Sequence, residues 1–323
     1  MKVSVIVPFF NVEAFIERNA ISLLSQTLDK VEFIFVDDAS PDSSRAILEQ
    51  VINSFPERDV RIITHATNKG LPAARNTGLL EAKGTYIYNC DSDDWLEIDM
   101  LEKMYKLAIE ERADYVYCDY WMQFEKRERY MRNPKYSDPE TMINEGFLAG
   151  QMKYNVWNKI VKRDIYENSQ IVFPEGHGMG EDMTMILLAE HAKKIAYLPE
   201  ALYHYSKTNV SAFSNTFSTR NLEDIEYNTK RILDAHKDNG DEEMSNFLNF
   251  FKLNVKLPFL LSGDDKQFEL WKKWFPEANE YVMSNKFLPY RTRMIQWFAS
   301  KGLFGFVKLY VFFVNILYKL IFR

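Results

Sequence analysis

The chain has 323 residues, of which 46% are hydrophobic and 27% charged, a globular composition that excludes a disordered chain and a polytopic membrane protein. Its 40 basic and 46 acidic side chains give a formal charge of −6, so no general nucleic-acid-binding surface is expected. The only cysteines, Cys90 and Cys118, exclude a disulfide scaffold and a four-cysteine zinc site, which fits a reducing compartment.

Short β-branched or aromatic runs alternate with helical periodicity over the first 120 residues, a pattern typical of parallel strands joined by helices. Because the apolar run before Pro8 is too short for a secretory signal, we expect a cytoplasmic protein. Ligands of such a sheet bind beyond the carboxyl ends of its strands. The predicted strands are Val3–Val7, Val31–Val36, Val60–Ile63, Thr85–Cys90 and Asp114–Cys118.

Carboxylates follow two of these predicted strands. The second strand leads into Asp37-Asp38, and the fourth into Asp91-Ser92-Asp93-Asp94. No glycine-rich dinucleotide or P-loop motif is present in the sequence. Since carboxylates do not bind phosphate directly, a phosphorylated ligand would need Mg²⁺ or Mn²⁺ between them, while an aspartate suits uracil N–H groups or ribose hydroxyls. The alternative for both clusters is a turn with a helix cap.

Two further segments combine glycine with charged residues. The run from Asn68 to Gly78 enters a predicted helix whose N-terminus, with Arg75, suits a diphosphate; a surface loop with a solvated arginine is the alternative. Gly180-Glu181-Asp182 precedes an apolar helix and suits either a general base at an acceptor cleft or helix-dipole compensation. The glycine-rich loop before it holds His177, which either contacts diphosphate or is solvated.

Six segments, read in order, form a specific set that runs from Val3 to about Ser214. They are SVIVPFFNVEAFIERNAISLLSQT, FIFVDDASPDSS, NKGLPAARNTGL, YIYNCDSDDWL, VWNKIVKRDIY and GEDMTMILLAEHAKKIAYLPEALYHY. Together they resemble the family 2 inverting glycosyltransferases of the GT-A fold. The resemblance implies an α/β fold with a mostly parallel sheet flanked by helices, and a nucleotide-diphosphate sugar as donor.

The resemblance also implies roles for individual residues. Asp182 is then the catalytic base, and Asp93 binds Mn²⁺ or Mg²⁺. The implied donor-binding residues are Pro8 and Asp38 at the nucleotide base, Asp91 near the ribose and Arg75 near the diphosphate. The residues expected to support this site are Glu181, Asp94, His177 and Asn158.

The C-terminal third has a different pattern. Residues 216–290 are predicted to form a helical extension of the catalytic domain, residues 1–215, and residues 291–323 a basic amphipathic helix. From Lys286 to Arg323 there are seven basic residues and no acidic one. Within Lys301–Arg323 a narrow polar stripe lies on an otherwise apolar helix. We expect this helix to lie in a membrane interface, the alternatives being a span and a helix buried on the catalytic domain.

The sequence therefore predicts an inverting glycosyltransferase that moves a hexose or N-acetylhexosamine, from UDP-sugar as the expected donor, to a growing surface polysaccharide or lipid-linked oligosaccharide. It would be attached peripherally to the cytoplasmic face of the inner membrane. A nucleotidyltransferase is disfavoured because its glycine-rich basic loop after the first strand is missing. A non-catalytic sugar-nucleotide-binding protein would be expected to lose Asp93 or Asp182, and both are present.

Overall fold

The computed structural model describes residues 1–209, 218–237 and 241–322 of the chain. The chain forms two compact units. The first comprises Met1–Pro139 and Tyr154–Asn228, and the second Glu140–Lys153 and Thr229–Arg323. The boundary expected between residues 215 and 216 lies outside the described residues, and the three segments named from the sequence stay predictions.

A mixed β-sheet is the centre of the first unit. Its strands are β1 (Val3–Phe9), β2 (Val31–Asp37), β3 (Asp59–Thr64), β4 (Tyr86–Asn89), β5 (Trp95–Leu96), β6 (Tyr115–Gln123), β7 (Glu128–Met131), β8 (Lys159–Lys162) and β9 (Ile195–Ser206). The order is β3-β2-β1-β4-β8-β6-β9-β5, and β7 pairs with β6. The part from β3 to β4 is parallel, as predicted. In contrast, β8 is antiparallel to both β4 and β6, so the sheet is less parallel than expected.

Helices follow these strands along the chain, and the periodicity of the first 120 residues predicted the first four of them. They are α1 (Ile16–Leu24), α2 (Ser44–Asn53), α3 (Leu71–Glu81), α4 (Met100–Glu111), α5 (Pro139–Thr141), α6 (Arg163–Ser169), α7 (Thr184–Glu190) and α8 (Thr219–Ala235). A π-helical segment, Met142–Leu148, continues α5. Strands β1 and β2 are buried along their whole length, because helices and neighbouring strands cover both of their faces.

One close contact fixes α3 against the sheet. A Cβ atom placed on Gly78 would lie only 2.4 Å from Ile6 Cγ2 of β1, so the helix can approach the strand because residue 78 has no side chain. The helix begins after Gly70, whose φ of +89° lies in the region that favours glycine. The close packing of α3 on β1 determines where the polar side chains of α3 point.

The second unit is helical. Its longer helices are α9 (Glu242–Leu261), α10 (Asp265–Lys273), α11 (Tyr290–Ser300) and α12 (Phe304–Phe322), with a 3₁₀ segment at Pro276–Tyr281. The break predicted near Ser262–Asp265 is present, and Gly263 has a φ of +72° there. Leu253, Ala278 and Val282 form a small core within this unit.

Helix α12 has two unlike faces within the second unit. Phe304 stacks on Phe268 of α10 with ring centroids 4.9 Å apart, Val307 and Val311 are buried, and Lys308 Nζ lies 2.7 Å from Asp265 Oδ1. The opposite face is apolar and more than one third exposed at Phe306, Leu309, Phe312, Phe313, Ile316 and Leu317. In the described part of the chain, no helix combines the length and apolarity needed to cross a bilayer.

Candidate active site

Three aspartates follow β4, and the structure gives them different surroundings. Asp94 is fully buried, and its carboxylate accepts hydrogen bonds from the Tyr203 hydroxyl at 2.5 Å and the Ser206 amide at 2.6 Å, both on β9. Burial, with Asp93 and Asp91 nearby, raises the pKa of Asp94 well above its usual range. Asp94 therefore ties the segment after β4 to β9, and its supporting role at the site stays a prediction.

Asp93 is the best candidate for holding a metal ion. Its Oδ2 accepts a hydrogen bond of 2.8 Å from Asn209. Burial, followed by repulsion from Asp91, raises the pKa of Asp93, and a cation beside the carboxylate would offset both effects. The described residues contain no group of three acidic, histidine or cysteine side chains placed to hold a metal. A metal ion at Asp93 would need ligand oxygens and water to complete its coordination.

Arg75 of α3 is buried between two carboxylates. Its Nη2 donates to Asp91 Oδ1 at 2.7 Å, and its Nη1 donates to Glu181 Oε1. Burial alone would lower the pKa of Arg75, but Glu181 and Asp91 outweigh it and leave the pKa raised. Only 1% of the residue is exposed. Its charge is therefore balanced within the protein, and the contact with a diphosphate that the resemblance implied stays a prediction.

Glu181 and Asp182 lie in a 3₁₀ turn, Glu181–Met183, that leads into α7. Glu181 is buried against Arg75, and its pKa rises to about 8 because burial, Asp182 and Asp91 together exceed the opposing effect of Arg75. Asp182 is only partly buried. The two neighbouring acids therefore differ: Glu181 is an internal hydrogen-bond partner of Arg75, and Asp182 reaches solvent.

The sequence assigned no role to two residues near Asp182, Lys159 and Tyr154. Burial lowers the pKa of Lys159 to about 7, with Cys118 and Asp182 opposing the change. Burial also raises the pKa of Tyr154, and the charge of Asp182 adds to this. The segment VWNK was a recognisable signal for Lys159, but nothing in the local pattern indicated Tyr154.

The carboxylate of Asp38 is engaged within the protein. It accepts hydrogen bonds from the backbone amides of Lys69 at 2.8 Å and Gly70 at 2.7 Å, and it lies 2.7 Å from His65 Nδ1. Asp38 therefore fixes the loop that leads into α3. Pro8 is buried in β1. The nucleobase contacts expected of these two residues stay predictions.

The remaining supporting residues fall in separate places. Asn158 is 1% exposed, donates to the Cys118 carbonyl at 2.7 Å and accepts from Lys159 Nζ at 2.7 Å, so it has internal partners, and its supporting role at the site stays a prediction. His177 stacks on Tyr227 of α8 with centroids 3.7 Å apart, and its Nδ1 lies 3.3 Å from Asp224 Oδ1.

The site therefore joins the acids after β4 to the turn before α7 through one buried arginine. Residues 4–181 match the family described as glycosyl transferase family 2, and the chain belongs to this family. It is 35% identical over 213 residues to the uncharacterized glycosyltransferase EpsJ of Bacillus subtilis, and 34% identical over 211 residues to the putative glycosyltransferase EpsH of the same organism. Each match covers 63% of this chain and 60% of the relative.

Solved structures identify the fold. Staphylococcus aureus TarS 1–349, in its complex with UDP-GlcNAc, is similar with a TM-score of 0.67 at 22% sequence identity, over 96% of this chain and 90% of that chain. The predicted α/β GT-A fold with a C-terminal helical region is confirmed.

Proposed function

We propose that the protein is an inverting glycosyltransferase that transfers a hexose or N-acetylhexosamine from a nucleotide-diphosphate sugar, preferably a UDP-sugar, to an acceptor hydroxyl. The observation that carries the proposal is the link Asp91–Arg75–Glu181, which joins the acid cluster after β4 to the turn that holds Asp182. Donor and acceptor chemistry would then meet at one edge of the sheet. Family membership and the UDP-GlcNAc complex of TarS support this donor class.

Asp182 is the group that takes the proton from the acceptor hydroxyl. As that oxygen attacks the anomeric carbon, the bond from this carbon to the diphosphate oxygen breaks, and the nucleoside diphosphate leaves from the opposite face. Inversion follows from this single displacement. Asp182 suits the role better than Glu181, because Glu181 is buried and bound to Arg75 while Asp182 is partly accessible.

Asp93 would hold the Mn²⁺ or Mg²⁺ ion, together with donor diphosphate oxygens. When bound, the ion supplies charge neutralisation for the departing diphosphate. Asp91 keeps its ion pair with Arg75 at 2.7 Å and is proposed to lie near the donor ribose. Family membership favours transfer of a sugar over transfer of a nucleotidyl group.

A donor screen tests this function. The full chain is incubated with Mn²⁺ and a panel of UDP-, GDP- and dTDP-sugars, and the release of nucleoside diphosphate is measured. We expect hydrolysis of at least one UDP-sugar, stimulated by a saccharide or lipid-linked saccharide acceptor. Release of pyrophosphate or nucleoside monophosphate instead of the diphosphate would contradict glycosyl transfer.

We further propose that α12 attaches the protein to the cytoplasmic face of the inner membrane, where a lipid-linked or growing polysaccharide acceptor would lie. Two features support attachment: the exposed apolar face of α12, and the absence of acidic residues from Lys286 to Arg323, where seven basic residues occur. Exposed apolar patches of this kind mark interaction sites, and basic residues favour anionic lipid.

Substitution of the exposed face tests this attachment. In the full chain, the double substitution Leu309→Glu with Phe313→Glu should reduce co-flotation with vesicles of anionic phospholipid by at least about tenfold, because two side chains leave the apolar phase. Leu80→Glu, at an 86% exposed site on α3, is the matched control and should leave flotation unchanged. A wild-type chain that does not float with anionic vesicles would contradict the proposal.

A further inference from the structure

We infer that Arg75 is a positioning residue: it holds the turn that carries Asp182 in place relative to Asp91, and it does not bind the donor diphosphate. This inference rests on the proposed function and deepens it. Its basis is that the guanidinium group is 1% exposed and uses Nη1 for Glu181 and Nη2 for Asp91. An arginine that is enclosed by two carboxylates offers no uncompensated charge to a third anion.

The neighbouring residue on α3 acts on the same segment of chain. Asn76 Oδ1 accepts from the Phe173 amide at 2.9 Å, while its Nδ2 donates to the Phe173 carbonyl at 2.9 Å and to Glu175 Oε1 at 3.2 Å. Arg75 reaches the far end of that segment at Glu181. Two consecutive side chains of α3 therefore fix both ends of residues 173–181.

The helix that carries Arg75 and Asn76 is itself packed closely on the sheet. Helix α3 lies directly on β1, because Gly78 leaves no side chain between the helix and Ile6. On the other side, Asn228 Nδ2 of α8 donates to the carbonyls of His177 and Met179, at 3.2 Å and 3.1 Å. Residues 173–181 are thus held by α3 at both ends and by α8 in the middle.

This arrangement gives Glu181 a role distinct from that of Asp182. Glu181 Oε1 accepts a hydrogen bond from Arg75, and Glu181 Oε2 is buried without a hydrogen-bond partner among the described residues. A side chain enclosed in this way is an anchor for the turn. Its neighbour Asp182 is then presented from a fixed backbone, and a displacement of about 1 Å at a catalytic group can cost about 10²-fold in turnover.

The test compares substitutions that keep the link with substitutions that break it, in the full chain with Mn²⁺. Glu181→Gln retains an oxygen for Arg75 Nη1, so we expect a loss in kcat below about tenfold, whereas Glu181→Ala should lose about 10²-fold. Arg75→Gln should lose about as much as Glu181→Ala, and Arg75→Lys should recover part of it. The dissociation constant of UDP, measured by calorimetry, should stay within about threefold in all four variants.

A second readout does not depend on activity. Hydrogen–deuterium exchange of residues 173–183 should rise in Glu181→Ala and stay near wild type in Glu181→Gln. Arg45→Gln, which removes a surface ion pair with Glu49, is the control and should change nothing. If Arg75→Gln fails to fold, the two Glu181 variants still decide, since they leave the Arg75–Asp91 pair in place.

Three results would overturn the inference. The first is a UDP dissociation constant raised tenfold or more by Arg75→Gln with kcat unchanged, which would make Arg75 a diphosphate ligand. The second is equal loss of kcat in Glu181→Gln and Glu181→Ala, and the third is unchanged exchange in Glu181→Ala. A wild-type chain that hydrolyses no donor would contradict the proposed function instead, and the exchange experiment would still test the positioning role.

Discussion

Asp182→Asn should lower turnover by about 10² to 10⁴-fold and leave donor affinity nearly intact. The substitution keeps the size and polarity of the side chain but removes its ability to accept the proton from the acceptor hydroxyl. The proposed donor contacts lie in the region after β4 and at the loop that Asp38 holds, and the substitution leaves both unchanged. The measurement is kcat for sugar transfer, with the dissociation constant of UDP measured in parallel.

The matched control for this prediction is Glu181→Gln, which makes the same chemical change one residue earlier in the 3₁₀ turn. Because Glu181 is buried against Arg75, the Glu181→Gln variant, whose amide oxygen can still accept from Arg75, should keep most of the activity. If Glu181→Gln stops transfer while Asp182→Asn does not, or if Asp182→Asn abolishes donor binding, the assignment of the base is wrong.

Asp93→Ala should lower turnover by about 10³-fold or more and should remove the effect of Mn²⁺ on UDP binding at the same time. Charge stabilisation of a leaving group by a bound metal is worth several kcal/mol, and Asp93 is the protein group proposed to hold that metal. The measurement is UDP binding by calorimetry with Mn²⁺ and with EDTA, together with kcat.

Asp29→Ala provides the control for Asp93→Ala. Asp29 is an exposed acid in a surface ion pair with Lys2, so its loss removes the same charge far from any proposed ligand contact. We expect no change in metal dependence. Full turnover of the wild-type chain in EDTA would contradict the assignment of Asp93 as a metal ligand.

Much of the fold was predictable from local patterns. The buried strands β1, β2 and β4 are apolar at most positions, and the parallel register of β1 with its neighbours follows from the helical crossovers between them. The short strand β8 was missed, since four residues give no periodicity, and β9 was missed although it alternates aromatic residues around Pro199. These two strands make the sheet mixed, because β8 runs antiparallel to its neighbours.

The candidate site was predictable as a set of residues but not as a set of contacts. The clusters at Asp91–Asp94 and at Glu181–Asp182 stand out in the sequence because acids follow or precede apolar runs. Arg75 can pair with both clusters because α3 packs closely on β1. This packing brings Arg75 to Glu181, which is 106 residues away in sequence. Asn158 belonged to a recognisable segment, yet burial gave it an internal partner, the Cys118 carbonyl.

The stereochemistry of the reaction tests most directly whether the sugar is transferred with inversion. Proton NMR of the sugar released during the first minutes of hydrolysis of an α-linked UDP-sugar, before the anomers equilibrate, reports the configuration of the first product. Single displacement with Asp182 as the base predicts the β-anomer. Initial release of the α-anomer would contradict the account, since retention requires a different mechanism.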